Sequence, residues 1–283
     1  MLRLLTFGST LGLILTACAE SDRPEADSCA GAAMIGQFDP SIDLFLAHFD
    51  IKTDVDDLHS AAAVATFLGT DDFRCVSYIA VAGTYGTQGG EYVPGKDLFA
   101  EAFGPNWRDA HNNREIALED VADRVSETLE AGGEVWVMEG GQSDFTHDML
   151  MAVRTSGTLL LKDDVHVVQH SDWNESVTTE EKLSAVKAMT DYRKIADGNG
   201  PGNGTPNYNT QDASLWSFPL ASERVGGIWQ MAKEQGEAWN GVGYENPTVT
   251  QGGLDFSDTV EAAHIFGFQD QENAADFFAD FLP

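Results

Sequence analysis

The stretch that decides the fold is residues 44 to 69, which read LFLAHFDIKTDVDDLHSAAAVATFLG. The apolar run Leu44 to Ala47 is typical of a buried strand, and the Ala-rich run Leu58 to Leu68, closed by Gly69, is typical of a helix. The segment between them, Asp50 to Asp57, is acidic. A strand, a turn at its carboxyl end and a following helix form the repeating unit of open α/β sheets, which bind ligands at such turns.

The acidic turn carries four carboxylates in eight residues, Asp50, Asp54, Asp56 and Asp57. Like charges at this spacing repel one another, so folding them together favours a bound cation or protonated partners. A solvated acidic turn is the plainer explanation in so acidic a chain. Because the turn lies between a patterned strand and a patterned helix, a metal or substrate site is favoured.

The remainder of the chain alternates strand-like and helix-like segments. The predicted strands are Phe73 to Ala82, Glu134 to Met138 and Val165 to Val168, and the predicted helices are Ile116 to Ala131 and Asp144 to Val153, the latter capped by Asp144. This order predicts a single α/β domain of Rossmann type, with a mainly parallel twisted sheet covered by helices on both faces. The Gly-, Asn- and Pro-rich stretch Asp197 to Asn209 predicts a long, functional loop.

The first residues predict an export signal rather than part of the domain. A short positive start precedes the apolar run Leu4 to Leu15, which is too short to span a bilayer. Leu15 to Cys18 matches a bacterial lipobox, in which Cys18 is lipidated; a signal peptide without lipidation is the alternative. We expect a signal peptide over 1–17, a polar tether over 18–40 and the domain over 41–283. The protein would be lipid-anchored in a bacterial cell envelope, at the outer membrane or at a periplasmic or extracellular face.

Composition limits the partners. The formal charge is −30, from 46 Asp and Glu against 16 Lys and Arg, which repels nucleic acid and anionic membrane surfaces and argues against both as partners. The same acidity is consistent with a saline habitat. Two cysteines lie beyond the lipobox, Cys29 and Cys75, and they either form a disulfide or stay as two thiols. The sequence leaves open whether the chain forms a homo-oligomer.

Four further segments stand where predicted strands end or helices begin. They are VWVMEGGQSD at 135–144, Gly83-Thr84, NGTPNYN at 203–209 and GLDFSDTVEA at 253–262. Together with the acidic turn, and in this order, they resemble the nucleoside hydrolase superfamily, nearer its divergent bacterial branch. Some members of that family carry Asp-Ile-Gly-Asp-Asp-Ile-Asp-Asp where this chain has residues 50–57. The resemblance spans residues 42 to 268.

The resemblance implies a fold, a cofactor and an activity. Asp50 and Asp57 would hold Ca²⁺, together with Asp258 and the carbonyl of Glu139. Asp50 would also activate a water molecule. The sugar would be contacted by the residues at five further family positions, which here are Asp56, Thr84, Asn203, Asn207 and Asn209.

Elementary chemistry agrees with these roles. Calcium takes six to eight hard oxygen ligands, and these residues supply four or five of them. Breaking an N-glycosidic bond passes through a state with positive charge on the sugar, which nearby carboxylates stabilise. Asparagine amides both donate and accept, which suits them to binding hydroxyl groups.

Departures from the family pattern weigh against ordinary nucleosides as substrates. Ser257 stands where some members have a histidine near the leaving base, and His264, two helical turns later, is expected to face the core. Asn207 replaces a glutamate, which removes a negative charge beside the sugar. Lys52, within the acidic turn, either neutralises part of the cluster or points to solvent.

Other sites fit less well. His166, His170, Asp172, Trp173 and Asn174 follow a strand, where catalysis is possible, and Trp173 could stack on a sugar or base; zinc spacing is absent. A dehalogenase-type phosphatase would need Asp at position 52, and no phosphate-binding loop or nucleophile elbow is present.

The sequence thus predicts a calcium-dependent hydrolase of N-glycosidic bonds in nucleosides or related glycosides. The alternatives are a non-catalytic carbohydrate-binding lipoprotein that uses the same pocket and an O-glycoside hydrolase.

Overall fold

The computed structural model describes residues 29–282. Its main strands are β1 (Leu44–Phe49), β2 (Ser77–Ala82), β3 (Trp107–Asp109), β4 (Val135–Glu139), β5 (Val165–Gln169) and β6 (Asp191–Lys194). They form one sheet in the order β3-β2-β1-β4-β5-β6, and every neighbouring pair is parallel. Two short strands, β7 (Asn209–Thr210) and β8 (Leu254–Asp255), pair antiparallel beside it. The predicted parallel α/β architecture is confirmed.

The helices connect and cover these strands. They are α1 (Asp56–Leu68), α2 (Lys96–Phe103), α3 (Arg114–Glu130), α4 (Asp144–Ser156), α5 (Asp172–Ser176), α6 (Glu180–Met189), α7 (Ser217–Leu220), α8 (Gly226–Trp239), α9 (Pro247–Thr250), α10 (Val260–Phe266) and α11 (Ala274–Phe281). The stretch 197–208 contains no helix or strand, so the predicted long loop is confirmed.

Side-chain alternation along β1 divides the interior into two cores. Phe45, Ala47 and Phe49 pack on one face of the sheet, and Leu44 and Leu46 pack on the other. Helices α1, α2, α8, α10 and α11 cover the first face, and α3, α4 and α6 cover the second. Helices therefore lie on both faces, as the alternation of segments predicted.

Two local predictions differ from the structure. The strand predicted from Phe73 begins only at Ser77, because Phe73 ends a short 3₁₀ turn and buries its ring in the core. Asp144 is the first residue of α4 rather than its cap, and Ser143 occupies the N-cap position. The Asp144 carboxylate instead accepts hydrogen bonds from the backbone amide and the hydroxyl of Thr179.

The first described residues, from Cys29 to Phe38, are attached to the domain by a disulfide and by packing. Cys29 and Cys75 form a disulfide, which resolves the two alternatives left by the sequence. Ile35 and Phe38 form an antiparallel bridge, and Phe38 is fully buried. Packed structure therefore begins before residue 41, where the sequence placed the domain boundary. The expected signal peptide and Cys18 lie outside the described residues, and within 29–282 no helix has the length and apolarity to cross a membrane.

The strand order creates a crevice at the carboxyl edge of the sheet. From β1 the chain moves outward through β2 and β3, then returns to β4 on the opposite side of β1. The loops that follow β1 and β4 consequently diverge, and such a reversal is where doubly wound sheets bind ligands.

Candidate functional site

A cavity of about 320 Å³ opens at this edge, and the ends of β1, β4 and β5 supply much of its lining. Six of the lining residues are aspartates: Asp50, Asp54, Asp56, Asp57, Asp197 and Asp258. The cationic residues among those lining it are Lys52 and His170, and the two large aromatic residues are Trp173 and Tyr244. The cavity is therefore strongly acidic, with aromatic rings beside the carboxylates.

Backbone strain is concentrated in the same place. Among the described residues, the non-glycine positions with positive φ are Ile51 at 46°, Thr53 at 73° and Ser171 at 68°. All three belong to the turns after β1 and β5. A β-branched residue in this region costs free energy that the surrounding structure must offset, and such positions cluster at functional sites.

The aspartates of the β1 turn hold the strained backbone in place. The amide of Ile51 donates to Oδ2 of Asp57 over 2.7 Å, and the amide of Lys52 donates to Oδ1 of Asp50 over 2.7 Å. The acidic turn is thus organised by its own side chains, which point inward rather than into solvent. Asp50 and Asp57 are 5% and 2% exposed, which excludes the solvated acidic turn as an explanation for them.

Three carboxylates converge closely enough to hold a metal ion. One oxygen from each of Asp56, Asp57 and Asp258 lies within 4.8 Å of the other two. Oδ1 of Asp57 is buried and has no hydrogen-bond partner among the described residues. An unsatisfied buried carboxylate oxygen is costly, and a coordinated cation would satisfy it.

The raised pKa values of Asp57 and Asp258 also favour a bound cation. Burial raises the pKa of Asp57 well above its ordinary value, and the neighbouring charges of Asp50 and Asp258 raise it further. Burial likewise raises the pKa of Asp258 well above its ordinary value, although the nearby His170 counteracts it. The chain itself thus leaves this negative charge largely uncompensated.

Asp50 lies beside the trio in a different environment. Its Oδ2 accepts hydrogen bonds from the side-chain amides of Gln142 at 2.7 Å and Gln88 at 3.0 Å. Burial raises the pKa of Asp50 to about 6, against the lowering effect of hydrogen bonds with the Lys52 amide and with the side chains of Gln142 and Asp57. Asp50 is therefore a buried carboxylate with three amide donors, counting that of Lys52.

A histidine and glutamate pair forms another wall of the cavity. Nδ1 and the backbone amide of His170 lie 2.5 Å and 2.9 Å from Oε1 of Glu261. Nε2 of His170 lies 3.6 Å from Oδ1 of Asp258. Burial lowers the pKa of His170, but the adjacent Glu261 carboxylate outweighs this effect and raises it to about 9.

The mouth of the cavity carries exposed aromatic rings on fixed supports. Trp173 and Tyr244 are 49% and 50% exposed. Trp173 lies on α5, which Glu175 ties to Lys187 and Lys194 through ion pairs. The Trp173 ring is thus presented to solvent by an anchored helix.

Lys52 is held at one side of the cavity. Its ammonium group donates to the carbonyl of Gln88 over 3.0 Å and lies 4.2 Å from the centre of the Tyr85 ring. Lys52 therefore neither extends fully into solvent nor forms an ion pair with the aspartates around it.

Two residues expected at the site lie just behind it. The Thr84 hydroxyl is buried and has no hydrogen-bond partner within residues 29–282, and it lies close to where a side chain on Gly141 would lie. The Glu139 carbonyl accepts a hydrogen bond from the side-chain amide of Gln169 over 2.7 Å. The Glu139 carboxylate points away from the cavity, toward Thr146 at 2.5 Å and His48 at 3.1 Å.

The three asparagines expected to contact a sugar do not line the cavity. Asn203 is exposed, and its amide donates to the carbonyl of Asp197. The backbone amide of Asn207 donates to the carbonyl of Glu272 in the C-terminal segment. The amide of Asn209 donates to Asp255 over 2.8 Å, so it supports the site from behind. From the same loop, Asp197 and Asn199 line the cavity instead.

Some of the other candidate residues line the cavity and the rest lie away from it. Asn174, with Trp173 and His170, lines the cavity, whereas His166 binds Glu134 and Asp191 at the opposite end of β5. Ser257 donates its hydroxyl to Asp255 over 2.9 Å. His264 does not line the cavity, but it is only half-buried while its neighbours Ala263 and Ile265 are fully buried, so the expected core-facing orientation is not confirmed.

Sequence reasoning missed several residues that shape the site. Gln88 and Tyr244 lie in loops without a pattern that predicts where they fold. Asp197 and Asn199 belong to the loop that the sequence predicted to be functional, but the sequence did not single them out. Gln142 had a usable signal, because it directly follows the Gly140-Gly141 turn at the end of β4.

Comparison of this chain with protein-family models, with curated proteins and with solved structures finds no match in any of the three. The function must therefore be argued from the chemistry of the cavity.

Proposed function

We propose that this protein is a calcium-dependent hydrolase of N-glycosidic bonds in nucleosides or related glycosides. The observation that carries the proposal is the convergence of Asp56, Asp57 and Asp258 beside the amide-bound Asp50, at the ligand-binding edge of the sheet. Such an arrangement combines a cation site with a separate carboxylate.

These donors suit a hard cation, and the family resemblance favours calcium among the hard cations. The converging groups are carboxylate oxygens, which are hard ligands, and neither cysteine within residues 29–282 lines the cavity. The unpartnered Oδ1 of Asp57 marks where a ligand oxygen is available. When bound, the cation would polarise a water molecule and the hydroxyl groups of a sugar.

The surrounding residues suit hydrolysis of a glycosidic bond. Asp50 accepts a proton from water, the water oxygen bonds to the anomeric carbon, and the bond from that carbon to nitrogen breaks. The electron pair of the broken bond goes to the leaving nitrogen, which takes up a proton from solvent. Asp50 releases the proton it accepted to solvent, so that one water is added overall. The remaining carboxylates stabilise the positive charge that develops on the sugar.

The cavity also limits the substrate. Six aspartates against Lys52 and His170 repel phosphate groups, which argues against an anionic ligand. Carboxylates and the amides of Asn174 and Asn199 suit hydroxyl groups, and Trp173 and Tyr244 offer flat apolar faces for a ring.

The exposed aromatic rings favour one second candidate, a protein that binds carbohydrate without turnover. Trp173 on its anchored helix would stack on a sugar ring in either case. Binding without hydrolysis needs the cavity but not proton transfer to Asp50.

We further propose that the protein is lipid-anchored through Cys18 in a bacterial cell envelope. The disulfide between Cys29 and Cys75 supports an oxidising compartment outside the cytoplasm. Mass spectrometry of the N-terminal peptide from a bacterial host tests the anchor, and an unmodified Cys18 would contradict it.

Turnover separates the two functional candidates. The protein is incubated with a panel of nucleosides and N-glycosides, with calcium or with EDTA, and release of base and reducing sugar is measured. We expect turnover that EDTA abolishes and that Asp50→Asn lowers by about a thousandfold. Asp148→Asn, on α4, is the matched control and keeps full activity. Sugar-dependent thermal stabilisation without any turnover would support the binding protein instead.

A further inference from the structure

Two aspartates that line the cavity, Asp54 and Asp197, lie outside both the converging trio and Asp50. The side-chain amide of Asn246 donates to Oδ1 of Asp54 over 3.2 Å. The backbone and side-chain amides of Asn199 donate to Oδ1 of Asp197, over 2.9 Å in each case. The structure therefore holds two further carboxylates at the cavity that are needed neither to bind the cation nor to take a proton from water.

These two carboxylates keep the cavity anionic even with a divalent cation bound. Six aspartates line it, and the cationic residues among those lining it are Lys52 and His170. The charge of His170 is balanced by the Glu261 carboxylate, which lies 2.5 Å from its Nδ1. A divalent cation and Lys52 together are therefore outnumbered by the aspartates. Such an excess attracts a ligand that carries positive charge of its own.

The groups that could give a proton to a leaving base are engaged elsewhere or are poor donors. Ser257, which stands where the family resemblance has a histidine, is fully buried and donates its hydroxyl to Asp255. Each ring nitrogen of His170 faces a carboxylate. Burial and nearby carboxylates raise the pKa of the Tyr244 hydroxyl, which makes it a weaker acid. A substrate whose leaving group needs no proton suits this cavity better than one whose leaving group does.

Carboxylates beside an aromatic ring suit the binding of flat cations. Trp173 and Tyr244 present half-exposed rings at the mouth of the cavity. The carboxylates of Asp54 and Asp56 lie close enough to Tyr244 to act on its hydroxyl group. The face of an aromatic ring attracts a cation, and a neighbouring carboxylate adds to the attraction. A positively charged ring would thus be favoured at the mouth, with its sugar directed toward the converging trio.

We propose that the substrate is an N-glycoside whose leaving group is a flat, positively charged heteroaromatic ring, and that Asp54 is a specificity-determining residue for it. This inference rests on the proposed function and names its substrate class. The bond from the anomeric carbon to the ring nitrogen breaks, and its electron pair cancels the positive charge of that nitrogen. The ring leaves neutral and takes up no proton. The water oxygen bonds to the anomeric carbon, and the proton that Asp50 accepts passes to solvent.

Matched pairs of glycosides test the charge of the leaving group. The full chain, purified in detergent and saturated with calcium, is given 7-methylguanosine at mildly acidic pH, where its ring is cationic, and guanosine as the neutral partner. A ribosylpyridinium salt and uridine form a second pair. We expect kcat/KM for the cationic glycosides to exceed that for the neutral ones by at least about 100-fold. Equal or higher values for the neutral glycosides overturn the inference.

Cationic glycosides also break more readily in water, so variants separate recognition from intrinsic reactivity. Asp54→Asn removes the charge and keeps the Oδ1 acceptor for Asn246. We expect it to lower kcat/KM about tenfold for the cationic glycosides and less than about twofold for the neutral ones, at unchanged calcium affinity. Asp148→Asn, on α4, is the control and changes neither. Circular dichroism checks folding, and Asp197→Asn carries the test if Asp54→Asn does not fold. An equal loss for both kinds of glycoside contradicts the role of Asp54.

Tyr244→Phe tests whether the leaving group needs a proton. The variant keeps the ring and removes the hydroxyl group. We expect kcat/KM to change by less than about twofold for cationic and neutral glycosides alike. A loss of about tenfold or more confined to the neutral glycosides would show that Tyr244 protonates their leaving bases, and the argument for a cationic leaving group would fail.

The outcomes keep the two proposals apart. If guanosine and uridine are hydrolysed as efficiently as their cationic partners, the hydrolase proposal stands and the inferred substrate class fails. If the cationic glycosides are preferred and Asp54→Asn lowers that preference, both stand. If no member of either pair is hydrolysed, both fail.

Discussion

Asp57 on α1 is buried and Asp148 on α4 is partly buried, and their pKa values move in opposite directions. Burial raises the pKa of Asp57, and neighbouring carboxylates raise it further. Burial also acts to raise the pKa of Asp148, but hydrogen bonds from Lys182, His147 and Arg114 outweigh it and lower the value to about 2. Asp148 has its cations within the chain, and Asp57 does not.

The contrast between Asp57 and Asp148 indicates that the carboxylates of the cavity need a bound cation, because the chain supplies too few cationic side chains there. With 16 Lys and Arg for 46 Asp and Glu, the chain has few cations to distribute. Three of them, Arg114, Lys182 and Lys194, bind carboxylates on or near α4 and α5. Lys52 lies in the cavity but contacts a carbonyl and a ring. Since buried like charges destabilise a fold, retaining them here is consistent with a ligand role.

The largest expected effect is stabilisation by calcium. At about 1,000 times its dissociation constant, Ca²⁺ should raise the free energy of unfolding by about 4 kcal/mol. If Asp57→Asn binds Ca²⁺ about 100-fold more weakly, it should keep only about 1.4 kcal/mol of this gain, whereas Asp148→Asn should keep all of it, because its ion pairs lie away from the cavity. Urea denaturation with and without Ca²⁺ measures the difference, and an equal gain in Asp57→Asn would remove the distinction between the two regions.

The next effect is a pH dependence of the metal-free protein. Burial raises the pKa values of Asp50 and Asp255 to about 6, so each carboxyl stays protonated in the folded protein at pH values where it is ionised in the unfolded chain. The stability that this gives is fully present below the ordinary pKa of 3.8. Stability is then lost as pH rises through the folded-state value. In EDTA, the free energy of unfolding should fall by about 2 kcal/mol between pH 5 and pH 8, and saturating calcium should remove most of that slope. A rise over the same interval would show that the cluster is compensated within the chain.

A third and smaller effect concerns the mouth of the cavity. Trp173→Ala should weaken ligand binding about tenfold, roughly 1.4 kcal/mol, because a flat apolar face is lost. Folding stability should change by less than about 0.5 kcal/mol, since the ring is half exposed. Titration calorimetry with the best ligand of the panel measures the first value. Phe218→Ala, an exposed ring outside the cavity, is the control.

Local patterns predicted the part of this site that is contiguous in the sequence. The strand, the acidic turn and α1 follow from apolar periodicity, and so Asp50 and Asp57 could be placed at the edge of a sheet. Asp258 could be associated with them only through the resemblance, because nothing in its own segment indicates a partner two hundred residues away. Burial of that carboxylate beside Asp57 is a tertiary effect.

The positions of the remaining site residues depend on how the loops pack, and a periodic sequence pattern does not encode loop packing. Asn203, Asn207 and Asn209 matched a motif, but in this chain their hydrogen bonds hold the loop and the C-terminal segment together. Gln88 and Gln142 reach Asp50 from the loops after β2 and β4, and their roles emerge only when both loops bind the amide of Gly86.

The smallest expected effect is the loss of stability when Asp148 loses its charge. Asp148→Asn should destabilise the protein by about 0.5 to 1 kcal/mol near neutral pH, because its three partners are partly exposed and solvent screens them. Since the pKa of Asp148 is depressed to about 2, its contribution is present above the ordinary value of 3.8 and is lost as pH falls toward 2. The difference between wild type and variant, measured by urea denaturation, should therefore shrink from pH 5 to pH 2. A difference that stays constant over that range would mean that the Asp148 carboxylate is not held by its ion pairs, and the contrast with Asp57 would then rest on burial alone.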